Sequence, residues 1–206
     1  MLDQKSTIEQ FLIATAARQP TPGGGGVTAL VGALSAAMAE MVVNYSLGKP
    51  ELAEHEEELK DILATLTRAR NLMLQLMVED QNAYEALSAA RKLPEGTTKQ
   101  QSFSQALNAC IAAPQSVAAT GMALLELCGR LIPIANKYLL SDLDVAANLA
   151  TSTVRCAVQN ARANLPEITQ PKEREKIEQF SKNILSRAVM HVQNLSPNIR
   201  KRSGEK

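Results

Sequence analysis

The chain has 206 residues, long enough to bury a sizeable core as a single domain over 1–206 without staples. Lysine plus arginine number 22 against 21 acidic residues, and the net charge of +1 gives no field for holding nucleic acid or a membrane surface. Aromatic residues make up 3% and tryptophan is absent, which also argues against base-stacking platforms.

Apolar residues recur at spacings of three and four without alternation, which predicts an all-α fold, an elongated up-and-down bundle of about six helices. Ser6-Thr7-Ile8-Glu9 reads as a capping box opening a first helix to about Arg18. The run Pro20-Thr21-Pro22-Gly23-Gly24-Gly25-Gly26 ends that helix and starts a second, from about Gly25 to Leu47. Small residues at 29, 32, 33, 36, 37 and 39 let neighbouring backbones come close, as suits a bundle centre or a subunit contact. The longest apolar stretch, Val27 to Ala39, stops at Glu40, short of a bilayer span. After Gly48-Lys49-Pro50 a long third helix is predicted from Glu51 to Lys92. Pro94 and Gly96 end it, and a fourth runs from about Thr98 to Leu131, kinked at Pro114 and closed by Pro133. A turn from Asn136 to Ser141 leads into a fifth, Asp142 to about Leu165, and Pro171 opens a last one to about Leu195. The end PNIRKRSGEK, from 197, reads as a solvated, flexible tail.

Cys110, Cys128 and Cys156 lie far apart within helical patterns, which suggests neither a disulfide framework nor a metal site and fits a reducing cytosol. The start MLDQKSTIEQ has no apolar signal region, so the chain reads as soluble, unprocessed and cytoplasmic.

The glycine run carries the first chemical signal. Four consecutive glycines lower stability through the unfolded chain's entropy, and they bare the first N–H groups of a helix, where the positive end of the dipole attracts an anion. A flexible interhelical loop is the plainer reading. The second signal is Asp80, which falls on the stripe Met73, Leu76, Met77, Ala83, Tyr84 and Leu87 and so points inward. A charge there is costly without compensation, which makes it a candidate general base or cation stabiliser, or else the partner of a cation on a neighbouring helix. Ser141-Asp142-Leu143-Asp144 opens the fifth helix, where caps and the dipole favour such residues in any case. Asn160 and Asn164, four apart, share a face as neutral donors and acceptors or as a bridge between helices. Lys49 is a solvated lysine or an anion partner. His55 and His191 stand alone, and no serine or cysteine triad is recognisable.

The ordered set PTPGGGG, NYSLGKP, VEDQNAYEALSAARKLP and ANKYLLSDLDVAANLATSTVRCAVQNARANL, spread from about Ile8 to Ile168, closely resembles the cyclodeaminase/cyclohydrolase family of folate enzymes. The family includes stand-alone methenyltetrahydrofolate cyclohydrolases and the C-terminal domain of formiminotransferase-cyclodeaminase.

The resemblance implies a helical homodimer that acts on the one-carbon bridge between N5 and N10 of tetrahydrofolate, with no metal or redox cofactor. Its partner is a folate substrate, monoglutamate or polyglutamate, and neither nucleic acid nor membrane. Matching motif positions make Asp80, Asp142 and Lys49 the expected catalytic groups, with Pro22, Gly23, Gly24, Gly25, Gly26, Ser141 and Asn160 against the substrate. Asp80 would manage water or a proton, Asp142 the pterin side, and Lys49 an anionic part of the folate. Two departures stand out. Pro50, Glu51 and Leu52 replace the family's basic and aromatic residues after the lysine, and Ala135 replaces a glycine before Asn136. The stand-alone length favours the cyclohydrolase. A formiminotetrahydrofolate cyclodeaminase and a catalytically silent, folate-binding helical dimer remain open.

Overall fold

The computed structural model describes residues 5–203. They form six helices: α1 Ile8–Ala16, α2 Gly24–Asn44, α3 Glu56–Arg91, α4 Thr97–Ile134, α5 Leu140–Ala163 and α6 Pro171–Ser203. No strand occurs among the described residues, so the all-α bundle stands.

Helices α2, α3, α4 and α5 each pack on the next in chain order, and α2 closes the ring against α5, while α6 lies across α4 and α5. The small residues of α2 are at the centre of this ring. Ala29, Ala33, Ala36 and Ala39 are buried there with Ala146, Ala147, Ala150 and Ala157 of α5, and the buried Ser35 hydroxyl donates to the Ala146 carbonyl at 2.8 Å. A second, smaller core joins Ala83 and Leu87 of α3 to Ala106, Leu107 and Cys110 of α4, with Leu165, Ile168 and Ile177 beneath.

Several boundaries differ from the sequence reading for identifiable reasons. The capping box of α1 is Thr7 with Gln10, one residue later than Ser6 with Glu9: Gln10 N–H donates to Thr7 Oγ1 at 3.1 Å and Thr7 N–H to Gln10 Oε1 at 2.8 Å. Ala17 is already extended, so α1 stops short of Arg18. Pro50–His55 is a 3-10 turn, and α3 begins at Glu56, with Glu56, Glu57 and Glu58 in its first turn at the positive end of the dipole.

Neither proline ends α4. Pro114 and Pro133 both lie inside it, and Pro114 is buried. A proline lacks the N–H that would reach the carbonyl four residues back, so Pro114 frees the Cys110 carbonyl, which accepts at 3.2 Å from Nδ2 of Asn164, the C-cap of α5. The tail expected from 197 is helical as far as Ser203: Leu195 and Ile199 are buried, and Arg202 donates to the Ile132 carbonyl. The end of that tail and the first four residues lie outside the described residues.

Helices α2 and α4, rather than Val27 to Ala39 alone, are long and apolar enough to cross a bilayer by length and composition. Of each such window 56% is buried inside the bundle, as in core helices of a globular protein.

Candidate active site

The glycine run is the N-terminal cap and first turn of α2. Thr21–Pro22 is a cis peptide bond, Pro22 is buried, and Gly23 is the N-cap in extended conformation. The first turn of α2 has no acidic side chain of its own. Asp80 of α3 supplies one. Its carboxylate lies against Gly25 so closely that a Cβ at that position would overlap it, and it accepts a hydrogen bond from Gly26 N–H. The anion expected at this bared helix start is therefore one of the chain's own side chains. Burial pushes the Asp80 carboxyl above its ordinary value, and the Gly26 N–H pulls it part of the way back.

The remaining walls come from α4 and α5. A Cβ on Gly24 would stand 3.1 Å from Asn160 Oδ1, so Gly24 and Asn160 are close neighbours. Asn160 Nδ2 donates to Thr28 Oγ1 at 3.1 Å, and the Thr28 hydroxyl donates to the Gly24 carbonyl at 2.6 Å. Asn164 Nδ2 reaches the Asn160 carbonyl at 3.1 Å as well as the Cys110 carbonyl. The Cys110 thiol is raised chiefly by burial and further by the nearby Asp80 charge, with Arg91 opposing. Gly26 packs against Pro22 and Met77.

A cleft of about 690 Å³ opens between α3 and α4, lined by Glu79, Asn82, Ala86, Ala109 and Ala113 among others; neither Asp80 nor the glycine turn lines it. Its volume is that of small-molecule sites. Among the described residues no group of three or more His, Cys, Asp or Glu side chains converges as a metal cage.

The structure divides the sequence-derived candidates into two groups. Pro22, Gly23, Gly24, Gly25, Gly26, Asp80 and Asn160 meet at one end of the bundle. Lys49, Ser141 and Asp142 belong to the other end, where the C-terminus of α2 meets the N-terminus of α5. There Asn136 N–H donates to Ser46 Oγ at 2.8 Å, and Asn136 Nδ2 reaches the Tyr45 carbonyl at 3.4 Å. Tyr45 and Tyr138 are exposed around that end, with Lys137 Nζ 5.1 Å from the Tyr138 ring centre. Helix α2 is 21 residues long from Gly24 to Asn44, which at the helical rise puts the two groups about 30 Å apart. Sequence reasoning passes over Thr28 and reads Cys110 only as an isolated helical cysteine. The signals were present: a threonine one turn into a helix that starts with glycine, and a cysteine four residues before a helical proline.

A family model described as formiminotransferase-cyclodeaminase matches residues 7–183. The methenyltetrahydrofolate cyclohydrolase of Methylorubrum extorquens is 31% identical over 163 residues, 77% of this chain and 78% of the relative. The formimidoyltransferase-cyclodeaminase of Rattus norvegicus is 28% identical over 188 residues, 89% of this chain, which spans only 35% of that longer protein. The crystal structure of formiminotetrahydrofolate cyclodeaminase from Thermotoga maritima superposes with a TM-score of 0.82 at 27% identity, covering 97% of this chain and 96% of that one. By the family match over most of its length, reinforced by these relatives, the chain belongs to the formiminotransferase-cyclodeaminase family.

Proposed function

We propose that this protein is a folate one-carbon enzyme that hydrolyses 5,10-methenyltetrahydrofolate to 10-formyltetrahydrofolate. The observation that carries this reading is the Asp80 carboxylate, raised by burial and held against the bare glycine turn that opens α2. The substrate is a cation with its charge spread over N5, the bridging carbon and N10. A half-buried carboxylate stabilises that charge and attracts the substrate. Asp80 then takes a proton as water attacks the bridging carbon. The tetrahedral adduct collapses with cleavage of the bond to N5, whose nitrogen keeps the electron pair and is protonated, while the carbon stays on N10 as a formyl group. A carboxyl raised toward the working pH transfers protons in both directions more readily than an ordinary aspartate. The chemistry involves no change of oxidation state, and the reading includes no metal or redox cofactor and a cytoplasmic location.

The reading includes a homodimer. Lys49, Ser141 and Asp142 stand about 30 Å from Asp80 within one chain, so a site that uses both groups draws the second from a partner copy. Exposed Leu34, Tyr45 and Tyr84 offer apolar surface for such a contact. Lys49 of the partner subunit then pairs with the carboxylates of the folate tail, and Asp142 of the partner subunit orients the pterin.

The Thermotoga maritima structure, matched end to end, favours a second reading, in which N10 closes on a 5-formimino group and ammonia leaves. The deciding experiment follows loss of the methenyl chromophore with purified protein, a buffer blank and an Asp80→Ala control. Rapid loss that the substitution abolishes supports the cyclohydrolase. No loss above the blank, with ammonia released from 5-formiminotetrahydrofolate, selects the cyclodeaminase. Folate binding with neither reaction makes the chain a silent binder.

A further inference from the structure

We propose that Thr28 and Asn164 are positioning residues that hold the first turn of α2 against Asp80. The proposal rests on the assignment of Asp80 as the proton-handling group. It begins at Pro114, whose missing N–H leaves the Cys110 carbonyl without its helical partner. Asn164 Nδ2 occupies that carbonyl at 3.2 Å and the Asn160 carbonyl at 3.1 Å, so the end of α5 is fastened to α4. Asn160 passes the constraint on to α2: its Nδ2 donates to Thr28 Oγ1 at 3.1 Å, and that hydroxyl donates onward to the Gly24 carbonyl at 2.6 Å. Thr28 is buried, so water cannot readily replace Asn160 as its donor.

One turn before Thr28, Gly24 and Gly25 have no side chains to wedge the helix start in place, and Gly26 N–H must meet the Asp80 carboxylate. The chain of four hydrogen bonds supplies the missing constraint. A small displacement of this turn changes both the place of the carboxylate and the hydrogen bond that moderates its basicity.

The charged and titratable surroundings of Asp80 make this readable. From α4 it faces Cys110, whose own raised pKa puts its titration on the alkaline side. From α5 come the neutral Asn160 and Asn164, and from α2 only backbone amides, while Glu79 and Glu85 neighbour Asp80 on α3.

The test is the pH profile of kcat and KM for methenyltetrahydrofolate in Thr28→Val, which keeps the side-chain shape, Thr28→Ser, which keeps the hydroxyl, and Asn164→Ala. Loss of the relay lowers kcat by about tenfold or more with KM little changed, and moves the acid limb to higher pH because Asp80 loses part of the Gly26 hydrogen bond. Thr28→Ser restores both. Asn164→Ala, which leaves the α2 core untouched, reproduces the same limb shift in a smaller degree. An unmoved limb in folded Thr28→Val, or a Ser variant no better than Val, overturns the proposal. Titration of the Gly26 amide resonance in the same variants reads Asp80 ionisation without any turnover. It therefore decides the relay even if the wild-type protein proves inactive on folates.

Discussion

Gly25→Ala is the sharpest probe of the site. In an ordinary first helical turn this change stabilises by about 0.4–1 kcal/mol, because alanine has less freedom to lose on folding. Here the new Cβ falls on the Asp80 carboxylate. Ordinary contact begins near 3.4 Å, so the carboxylate must withdraw by on the order of 1 Å, and it then loses the Gly26 N–H. A hydrogen bond to a charged group contributes about 1.5–3 kcal/mol. The balance is a net loss of about 1–2 kcal/mol, read as a melting point lower by roughly 2–8 °C for a protein of this size. Displacement of a catalytic group by an ångström costs about a hundredfold in kcat. Gly23→Ala is the matched control. Its nearest neighbour is the Pro20 carbonyl at 3.6 Å and its backbone is extended, so it stays within about 0.5 kcal/mol of wild type. Denaturant melts of Gly25→Ala in the wild-type and Asp80→Ala backgrounds complete the cycle. With the carboxylate gone, the alanine becomes neutral or stabilising. Equal penalties in both backgrounds, or a Gly25→Ala enzyme with full kcat, refute the reasoning.

Gly32→Ala places a Cβ 2.6 Å from Met73 Cε and 3.1 Å from Thr153 Cγ2 at the bundle centre. Overpacking there destabilises by about 1–3 kcal/mol, nearer the lower figure because a methionine end can swing aside, and thermal melts should show the loss with kcat per folded molecule retained. Asp80→Asn should abolish turnover yet stabilise the fold with rising pH. A carboxyl raised on folding favours the native state below its unfolded value of 3.8 and loses that advantage as pH rises through its folded value. The variant's margin over wild type in denaturant melts therefore grows from pH 4 to pH 8, and a margin independent of pH contradicts the burial of that charge. Co-expression of Lys49→Ala with Asp80→Ala chains tests the shared site. Random pairing gives mixed dimers in half the molecules, each with one intact site of two, so about a quarter of wild-type activity returns; no recovery places both groups in separate functions.

Helix number, faces and most breaks were legible in the sequence because they depend on periodicity and on local punctuation. The inward aim of Asp80 followed from the stripe 73, 76, 77, 83, 84 and 87, since a helix repeats its face every three or four residues. Its partner did not follow. What meets Asp80 is the missing side chain of Gly25, and an empty volume on one helix has no pattern that names the carboxylate filling it from another. Pro133 misled for a related reason. Local rules assign it a lost hydrogen bond and so a stop, whereas packing of Ile132 and Ile134 in the core keeps the helix running. The helical end of α6 likewise depends on Ile199 finding the core and on Arg202 finding the Ile132 carbonyl, contacts between residues some seventy positions apart.

Periodicity reports which face a residue occupies and says nothing about its level along the bundle. Yet the level is available from simple counting, since each helical residue advances the chain by about 1.5 Å. Gly25 and Lys49 bracket α2, and Asp142 and Asn160 bracket most of α5. Antiparallel packing of α2 on α5 then brings Gly24 to Asn160 and leaves Lys49 with Asp142 at the far end. Motifs that follow one another in sequence order thus come to lie in two clusters at opposite ends of one chain. If both clusters act on a single folate, the second must come from another copy, and that is the ground on which the dimer is proposed.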